Sequence, residues 1–165
     1  MKRIIFHWSA STNKPNATDL QHYHFCVDSE GKIHEGKFKP EDNESTLDNY
    51  YAMHTGGGNT GSIGIAFCGC YVPPHTDVKL TKYPLTRKQL EAGFKLGAEL
   101  CKKYKLNLSD PLTIQTHYGF GKRHPNTASA GKIDITYLHE FPHLHKDDIE
   151  KFIASKVKWY YANLP

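Results

Sequence analysis

The stretch Ser62–Gly69, with the sequence SIGIAFCG, is an almost unbroken apolar run in a chain of 165 residues. Strands buried on both faces have such runs, whereas strands with one solvated face alternate apolar and polar residues. The run therefore predicts a central strand of a sheet that is covered on both sides. Gly64 within it predicts the close approach of another backbone, because glycine carries no side chain.

Segments on both sides of this run predict the other strands. Short apolar stretches favour strands over Lys2–His7, Tyr23–Val27 and Leu112–His117. Asp28–Gly31 is typical of a turn whose glycine takes a positive φ, so Lys32–Gly36 should return as the partner strand of a hairpin. These strands belong beside Ser62–Gly69 in one sheet.

Two segments have the pattern of amphipathic helices. Thr86 and Gln89 form a capping-box signature, and an apolar stripe follows, so we expect a helix from residue 87 to about residue 104. A second apolar stripe predicts a closing helix from Lys146. Strands and helices alternate, which predicts an α/β fold: a single domain over residues 1–165, with a central mixed β-sheet flanked by helices.

Composition excludes several classes of protein. No apolar run approaches the roughly 18 residues of a membrane span, so we expect no membrane insertion. The first residues, MKRIIFHW, contain too few apolar positions for a secretory signal, which predicts synthesis in the cytoplasm. The net charge of +4 suits an anionic partner such as nucleic acid or cell wall. Lysine and arginine are spread along the chain rather than clustered, so we do not expect nucleic-acid binding.

Four cysteines could form two disulfides or one metal site. Cys26, Cys68 and Cys101 each lie within an apolar segment, where free cysteine packs as a small hydrophobic residue. We therefore expect reduced cysteines in the core.

Eleven histidines are several times what an ordinary chain of this length carries, and metal binding is one reason for such an excess. His7 and His117 end predicted strands, and the edge where strands finish is where α/β proteins usually bind ligands. Zinc accepts imidazole and carboxylate ligands in a tetrahedral shell, so Asp134, at the far end of a long loop, is a candidate third ligand. Position alone leaves other roles open: strand-end histidines are often structural, and Asp134 could cap a turn.

Several stretches resemble one family in the same order along the chain. Ile4–Ser11 (IIFHWSAS), His22–Phe25 (HYHF) with the turn after it, Ala52–Ile65 (AMHTGGGNTGSIGI) and Lys132–Asp134 (KID) are similar to motifs of the type 2 N-acetylmuramoyl-L-alanine amidases. This family includes the peptidoglycan recognition proteins and the phage-lysozyme amidases. The similar stretches run from residue 4 to about residue 137.

The resemblance implies hydrolysis of the amide bond between N-acetylmuramic acid and L-alanine in the peptidoglycan stem. It implies one Zn²⁺ per chain and a site of seven residues. These are His7, His117 and Asp134 as zinc ligands, Tyr23 and Lys132 as catalytic residues, and His54 and Asn59 as substrate-binding residues. Asp134 stands where many members have cysteine, and either residue can bind zinc.

Two departures from the family pattern bear on the mechanism. Some members carry a catalytic glutamate just after the SIGI motif, where this chain has Ala66, so the tyrosine and lysine chemistry of the phage-lysozyme branch fits better. The loop Tyr118–Gly131 is longer than the phage version and carries Lys122, Arg123 and His124. We interpret this loop either as a solvated basic segment or as a wall of the substrate groove, with His124 as a rival zinc ligand.

The resemblance also leaves the biological role open between alternatives. A compact catalytic domain is similar to a phage endolysin, made in the cytoplasm and acting on the cell wall after release. A bacterial enzyme that recycles soluble muropeptides is the alternative role. A peptidoglycan-binding module without catalysis is the competing class. We expect a monomer whose partner is peptidoglycan or muropeptides.

Overall fold

The computed structural model describes all 165 residues and contains one five-stranded sheet with the strand order β3-β2-β4-β1-β5. The apolar run forms the central strand and is buried throughout, as its composition predicted. The strands are β1 (Arg3–Trp8), β2 (Phe25–Val27), β3 (Ile33–Glu35), β4 (Ser62–Phe67) and β5 (Ile114–Thr116).

The sheet is mixed, as expected. Strand β4 pairs in parallel with β1 and β2, and β1 pairs in parallel with β5 at the edge. Only β3 is antiparallel, because it returns from β2 through the predicted tight turn, where Gly31 has a φ of 82°. The carboxyl ends of four strands therefore point to the same edge of the sheet.

Four α-helices surround the sheet: α1 (Ala17–His22), α2 (Arg87–Lys103), α3 (His117–Arg123) and α4 (Ile149–Ala162). Helix α2 begins with the predicted capping box between Thr86 and Gln89. A short 3₁₀ turn, Lys146–Asp148, leads into α4 where the closing helix was expected. No helix combines the length and the apolar character that crossing a bilayer requires.

The main core lies between the sheet and the pair α2 and α4. Phe6 and Phe67 stack across neighbouring strands with ring centroids 5.7 Å apart, and Phe94 of α2 packs edge-on against Phe67 at 6.1 Å. Such aromatic pairs contribute about 0.5–1.5 kcal/mol each beyond the area they bury. Because side chains alternate along a strand, His7 points to the opposite face from Phe6, away from α2 and α4.

The opposite face is covered by α1, the loop between β3 and β4, and the segment after β5. A small cluster of Cys26, Ala66 and Cys68 packs there against Leu20 and Tyr23. All four cysteines are free and buried, so they lie in the core as expected.

Three details differ from the sequence-based expectation. The strand predicted over Leu112–His117 is shorter, because Thr116 caps α3 through the Gly119 N–H and His117 is the first residue of that helix. The loop expected from Tyr118 to Gly131 therefore opens with helix rather than irregular chain. Tyr23 ends α1 and precedes β2 instead of lying within it.

Gly64 is approached by a side chain and not, as predicted, by a backbone. A Cβ atom at position 64 would lie 2.5 Å from Cγ of His54, closer than non-bonded carbons come. The imidazole of His54 thus packs directly on the central strand. Because Gly64 has no side chain, the ring of His54 has space beneath the candidate site.

Candidate metal centre

Three side chains from different parts of the fold converge at the carboxyl edge of the sheet. His7 comes from β1, His117 follows β5, and Asp134 follows the segment after α3. His7 Nδ1 lies 2.9 Å from Asp134 Oδ2, and His117 Nδ1 lies 3.3 Å from Asp134 Oδ1. One ligand atom of each residue lies within 4.8 Å of the others, and all three residues are buried. The group could hold a metal ion.

The hydrogen on the His7 imidazole can be placed from its neighbours. His54 Nε2 lies 3.3 Å from the carbonyl oxygen of Ser62, which can only accept, so this nitrogen carries the hydrogen. His54 Nδ1 is then an acceptor for the Thr55 hydroxyl at 2.7 Å, and His7 Nε2, which lies 3.1 Å from His54 Nδ1 and 3.4 Å from Thr55 Oγ1, donates its hydrogen to this pair. His7 Nδ1 is left without a hydrogen, and it faces Asp134.

His117 is held in the same tautomer by a different residue. The hydroxyl of Ser129 donates to the carbonyl oxygen of Gly56 at 2.7 Å, which leaves its oxygen free to accept. His117 Nε2 donates to that oxygen at 2.9 Å, so His117 Nδ1 also faces Asp134 without a hydrogen. The two imidazoles therefore present lone pairs to one carboxylate.

Glycines bring the backbone of the loop before β4 against the segment that holds Ser129. A Cβ on Gly56 would lie 2.7 Å from the Cβ of Ala128, and one on Gly57 would lie 2.5 Å from the side chain of Thr127. Only residues without a side chain allow this approach. The glycine-rich sequence before β4 thus serves to place Ser129 beside His117.

The protonation states at neutral pH suit a cation. Burial lowers the pKa of His7 to about 4, although contact with Asp134 acts in the opposite direction. Burial by itself would raise the pKa of Asp134, but protons that His117 and His7 carry toward the carboxylate outweigh burial and hold the pKa below its ordinary value; a bound cation would act in the same direction in place of those protons. Neutral imidazole and ionised carboxylate are the forms that bind metals. Two imidazole nitrogens and a carboxylate oxygen fit a catalytic zinc site, which takes three protein ligands and keeps one position open.

A cavity of about 700 Å³ opens onto His117 and Asp134, while His7 lies fully buried behind them. Tyr23 lines it, with its ring 5.0 Å from that of His7, and Lys132 lines it from an exposed position. Burial and the charge of Asp134 raise the pKa of Tyr23 far above its ordinary value, so the phenol keeps its proton. The rest of the wall is mostly apolar and includes Trp8, Met53, Val72, Val78 and Ile133.

Of the two residues expected near the substrate, His54 and Asn59, only His54 lines the cavity. His54 reaches the cavity wall, yet it is only 5% exposed and contacts His7. Asn59 does not line the cavity. Its side-chain oxygen accepts the N–H of Thr55 at 2.8 Å, which closes the loop that carries His54.

The basic residues of the segment after β5 lie away from the cavity. The ring of His124 stacks on Phe120 with a centroid separation of 4.0 Å, and it takes no part in the metal-binding group, so the rival ligand is excluded. Lys122 and Arg123 form ion pairs with Asp147 and Glu150 and do not line the cavity. The interpretation of these two residues as a groove wall was wrong.

Sequence reasoning missed the residues that orient the two imidazoles. Ser129 lies in a stretch rich in small residues and has no local pattern that marks it. His24 is structural, one of the two roles expected for it: it is buried, and its Nδ1 accepts the N–H of Gly64 at 2.9 Å. Such contacts join residues 12 to 40 positions apart, so only the folded chain reveals them.

A protein-family model described as N-acetylmuramoyl-L-alanine amidase matches residues 1–134. The chain belongs to this family. The family match confirms the resemblance seen in the motifs, and its last residue is the third member of the metal-binding group. Residues 135–165, which include α4, lie beyond the matched region.

Solved structures of PlyL share the fold. The alignment with PlyL has 15% identity and covers 94% of this chain and 82% of that one, with a TM-score of 0.50. A mutant of PlyL in which one glutamate is replaced by alanine gives a TM-score of 0.52 at 15% identity, over 95% and 84% of the two chains. N-acetylmuramoyl-L-alanine amidase LysC from Clostridium intestinale URNW is 20% identical, with a TM-score of 0.44 over 64% of this chain. The chain spans 65% of that LysC chain. A comparison with curated proteins gave no match.

Proposed function

We propose that the chain is a zinc-dependent N-acetylmuramoyl-L-alanine amidase, which hydrolyses the amide bond between N-acetylmuramic acid and L-alanine in peptidoglycan. The observation that carries the proposal is that the unprotonated Nδ1 atoms of His7 and His117 both face the carboxylate of Asp134 at the base of an open cavity. Family membership supports the substrate and the bond. All three proposed ligands come from one chain, which supports a monomer with one Zn²⁺.

Zinc held by three protein groups supplies a water that is nucleophilic near neutral pH and polarises a carbonyl. The residues of the chain then have to orient the substrate and stabilise the charge that develops on the carbonyl oxygen. Lys132 is our choice for the second task. Its backbone N–H donates to the carbonyl oxygen of Ser129 at 3.2 Å, so the turn that holds His117 also presents this ammonium to the cavity.

Tyr23 is our second catalytic residue. It lines the same cavity as Lys132, and its phenol stays protonated beside His7. A protonated phenol can donate a hydrogen bond to the attacking water or to the oxyanion. The residue after SIGI is Ala66, fully buried, so a glutamate base does not enter this mechanism.

We further propose that the enzyme acts on intact cell wall, in an endolysin-like role. A second groove, of about 480 Å³, shares Ala10 and Val72 with the walls of the main cavity. An extended polymer therefore has room beyond the reacting bond. Short soluble muropeptides would leave this groove empty.

Zinc content and wall digestion of ligand variants test the proposal. His7→Ala and His117→Ala should each lose most of the bound zinc and the activity, because each removes one of three protein ligands. Asp134→Cys should keep zinc and measurable activity, since thiolate also binds zinc, whereas Asp134→Ala should keep neither. A wild-type protein that binds purified wall yet never releases fragments would identify a binding module instead.

A further inference from the structure

The free edge of β5 is covered at one point by a carboxylate. Strand β5 pairs only with β1, so N–H groups on its outer side have no partner strand. The backbone N–H of Thr116 donates to Oε2 of Glu150 at 2.9 Å. Thr116 is the residue immediately before His117. Glu150 thus fixes the backbone from which one proposed zinc ligand extends.

Glu150 reaches this position from α4 and is itself held by an arginine. Both terminal nitrogens of Arg123 donate to its carboxylate, at 2.8 and 2.9 Å. Arg123 Nη2 also donates to the side-chain oxygen of Gln115 at 2.9 Å, so the pair ties both ends of the Gln115–Arg123 segment together. The side chain of Glu150 is only 20% exposed. A two-pronged arginine contact of this kind fixes orientation as well as charge.

Gly119 leaves the space that the carboxylate occupies. A Cβ at position 119 would overlap Oε2 of Glu150. Any larger residue would push the carboxylate away from the N–H of Thr116. The contact therefore depends on two residues far apart in the sequence, Gly119 and Glu150.

We propose that Glu150 is a positioning residue for His117, acting through the backbone of Thr116. The inference rests on the proposed zinc site. Helix α4 lies outside the region that the family model matches, so a segment beyond the family core completes the alignment of a metal ligand. Partners that orient metal ligands typically contribute roughly 10–100-fold to metal affinity.

Zinc affinity, measured by competition with a chromophoric chelator, tests the role. Glu150→Ala should bind zinc on the order of tenfold more weakly. Glu150→Gln keeps an oxygen that can accept the Thr116 N–H, so its affinity should stay within about threefold of wild type. Gly119→Ala should behave like Glu150→Ala, yet change the affinity less than about twofold when Glu150 is already alanine, because the two act through one contact.

Glu91→Ala is the matched control. Glu91 pairs with Lys156 of α4 at 2.8 Å and its side chain is 26% exposed, so the variant weakens the packing of α4 without touching Thr116. It should leave zinc affinity unchanged. The proposal is overturned if Glu150→Ala binds zinc as wild type does, or if Glu91→Ala weakens binding equally.

Amide hydrogen exchange separates this proposal from the proposed function. In Glu150→Ala, and not in Glu91→Ala, the amide of Thr116 should exchange at least about tenfold faster, relative to the exchange set by global unfolding. If the wild type takes up no zinc, the proposed function fails. Hydrogen exchange at Thr116 then still shows whether Glu150 holds the backbone there. Equal exchange at Thr116 in both variants would refute the positioning role.

Discussion

At the scale of single residues, the chemistry of the centre depends on where His7 and His117 keep their hydrogens. Each imidazole donates through Nε2 to a neighbour whose own donor is already engaged, so each turns a bare Nδ1 toward Asp134. Without a cation these lone pairs would meet a carboxylate in a buried place, which costs free energy. The residues around the centre are therefore arranged for a positive charge between them.

Lys132→Ala should separate catalysis from metal binding. If the ammonium stabilises the oxyanion, its contribution appears in the transition state rather than in substrate binding. The variant should keep zinc and affinity for wall, yet lose on the order of 10²-fold in turnover. Lys158→Ala, an exposed lysine on α4, is the control and should leave the rate unchanged. A change of less than about threefold for Lys132→Ala would remove it from the mechanism.

Acid should destabilise the fold through His24. Burial lowers the pKa of this imidazole to about 4, although the hydrogen bond with Asn43 acts in the opposite direction. Unfolded histidine titrates near 6.5, so between about pH 6.5 and pH 4 the unfolded chain binds the extra proton. The free energy of unfolding therefore keeps the full contribution of neutral His24 above about pH 6.5. It falls by up to about 3 kcal/mol as the pH is lowered from 6.5 toward 4.

Urea unfolding of the metal-free protein at several pH values checks this contribution. His24→Gln can replace both hydrogen bonds without titrating, so its free energy of unfolding should depend less steeply on pH than that of wild type. Equal slopes for the two proteins would mean that His24 does not titrate on unfolding in this range.

At the scale of secondary structure, local signals predicted some elements well and others poorly. The capping box at Thr86 and the apolar run of β4 are complete within a few residues, and both elements form as expected. Helix α3 was missed because its sequence, HYGFGKR, contains two glycines and no apolar stripe. It forms because Thr116 caps it and because α4 and the Ser129 segment pack against it.

Gly64→Ala tests how the central strand supports the centre. The added Cβ would collide with the ring of His54, and moving that ring would remove the partner of His7 Nε2. We expect a loss of about 1–3 kcal/mol in the free energy of unfolding, together with weaker zinc binding. Urea unfolding and chelator competition measure the two effects.

Gly97→Ala supplies the comparison for this substitution. It also crowds the core, against Phe6 and Val157, but on the face of the sheet that carries α2 and α4. It should change stability without changing zinc affinity. Unaltered zinc binding in Gly64→Ala would show that His54 is not needed to hold His7.

At the scale of the whole molecule, parallel strands bring distant residues to one edge. Strands β1 and β5 pair in register, so His7 and His117 meet although 110 positions separate them in the printed sequence. The proximity of His7 and His117 could be predicted from the sequence, because both histidines end predicted strands in a chain rich in histidine. The long loop offered Asp134 as one candidate ligand, and the family resemblance was needed to single it out. The roles of Ser129, His54 and Glu150 required the packed structure, because each acts through contacts between remote segments.

Mass spectrometry of purified peptidoglycan, digested with and without a zinc chelator, tests whether the chain is a zinc-dependent amidase. We expect new free lactyl groups on muramic acid and free amino groups on L-alanine, in equal amounts, which disappear with chelator and return when zinc is restored. Cleavage at a glycosidic or another peptide bond, or amide cleavage that persists after complete removal of zinc, would contradict this expectation.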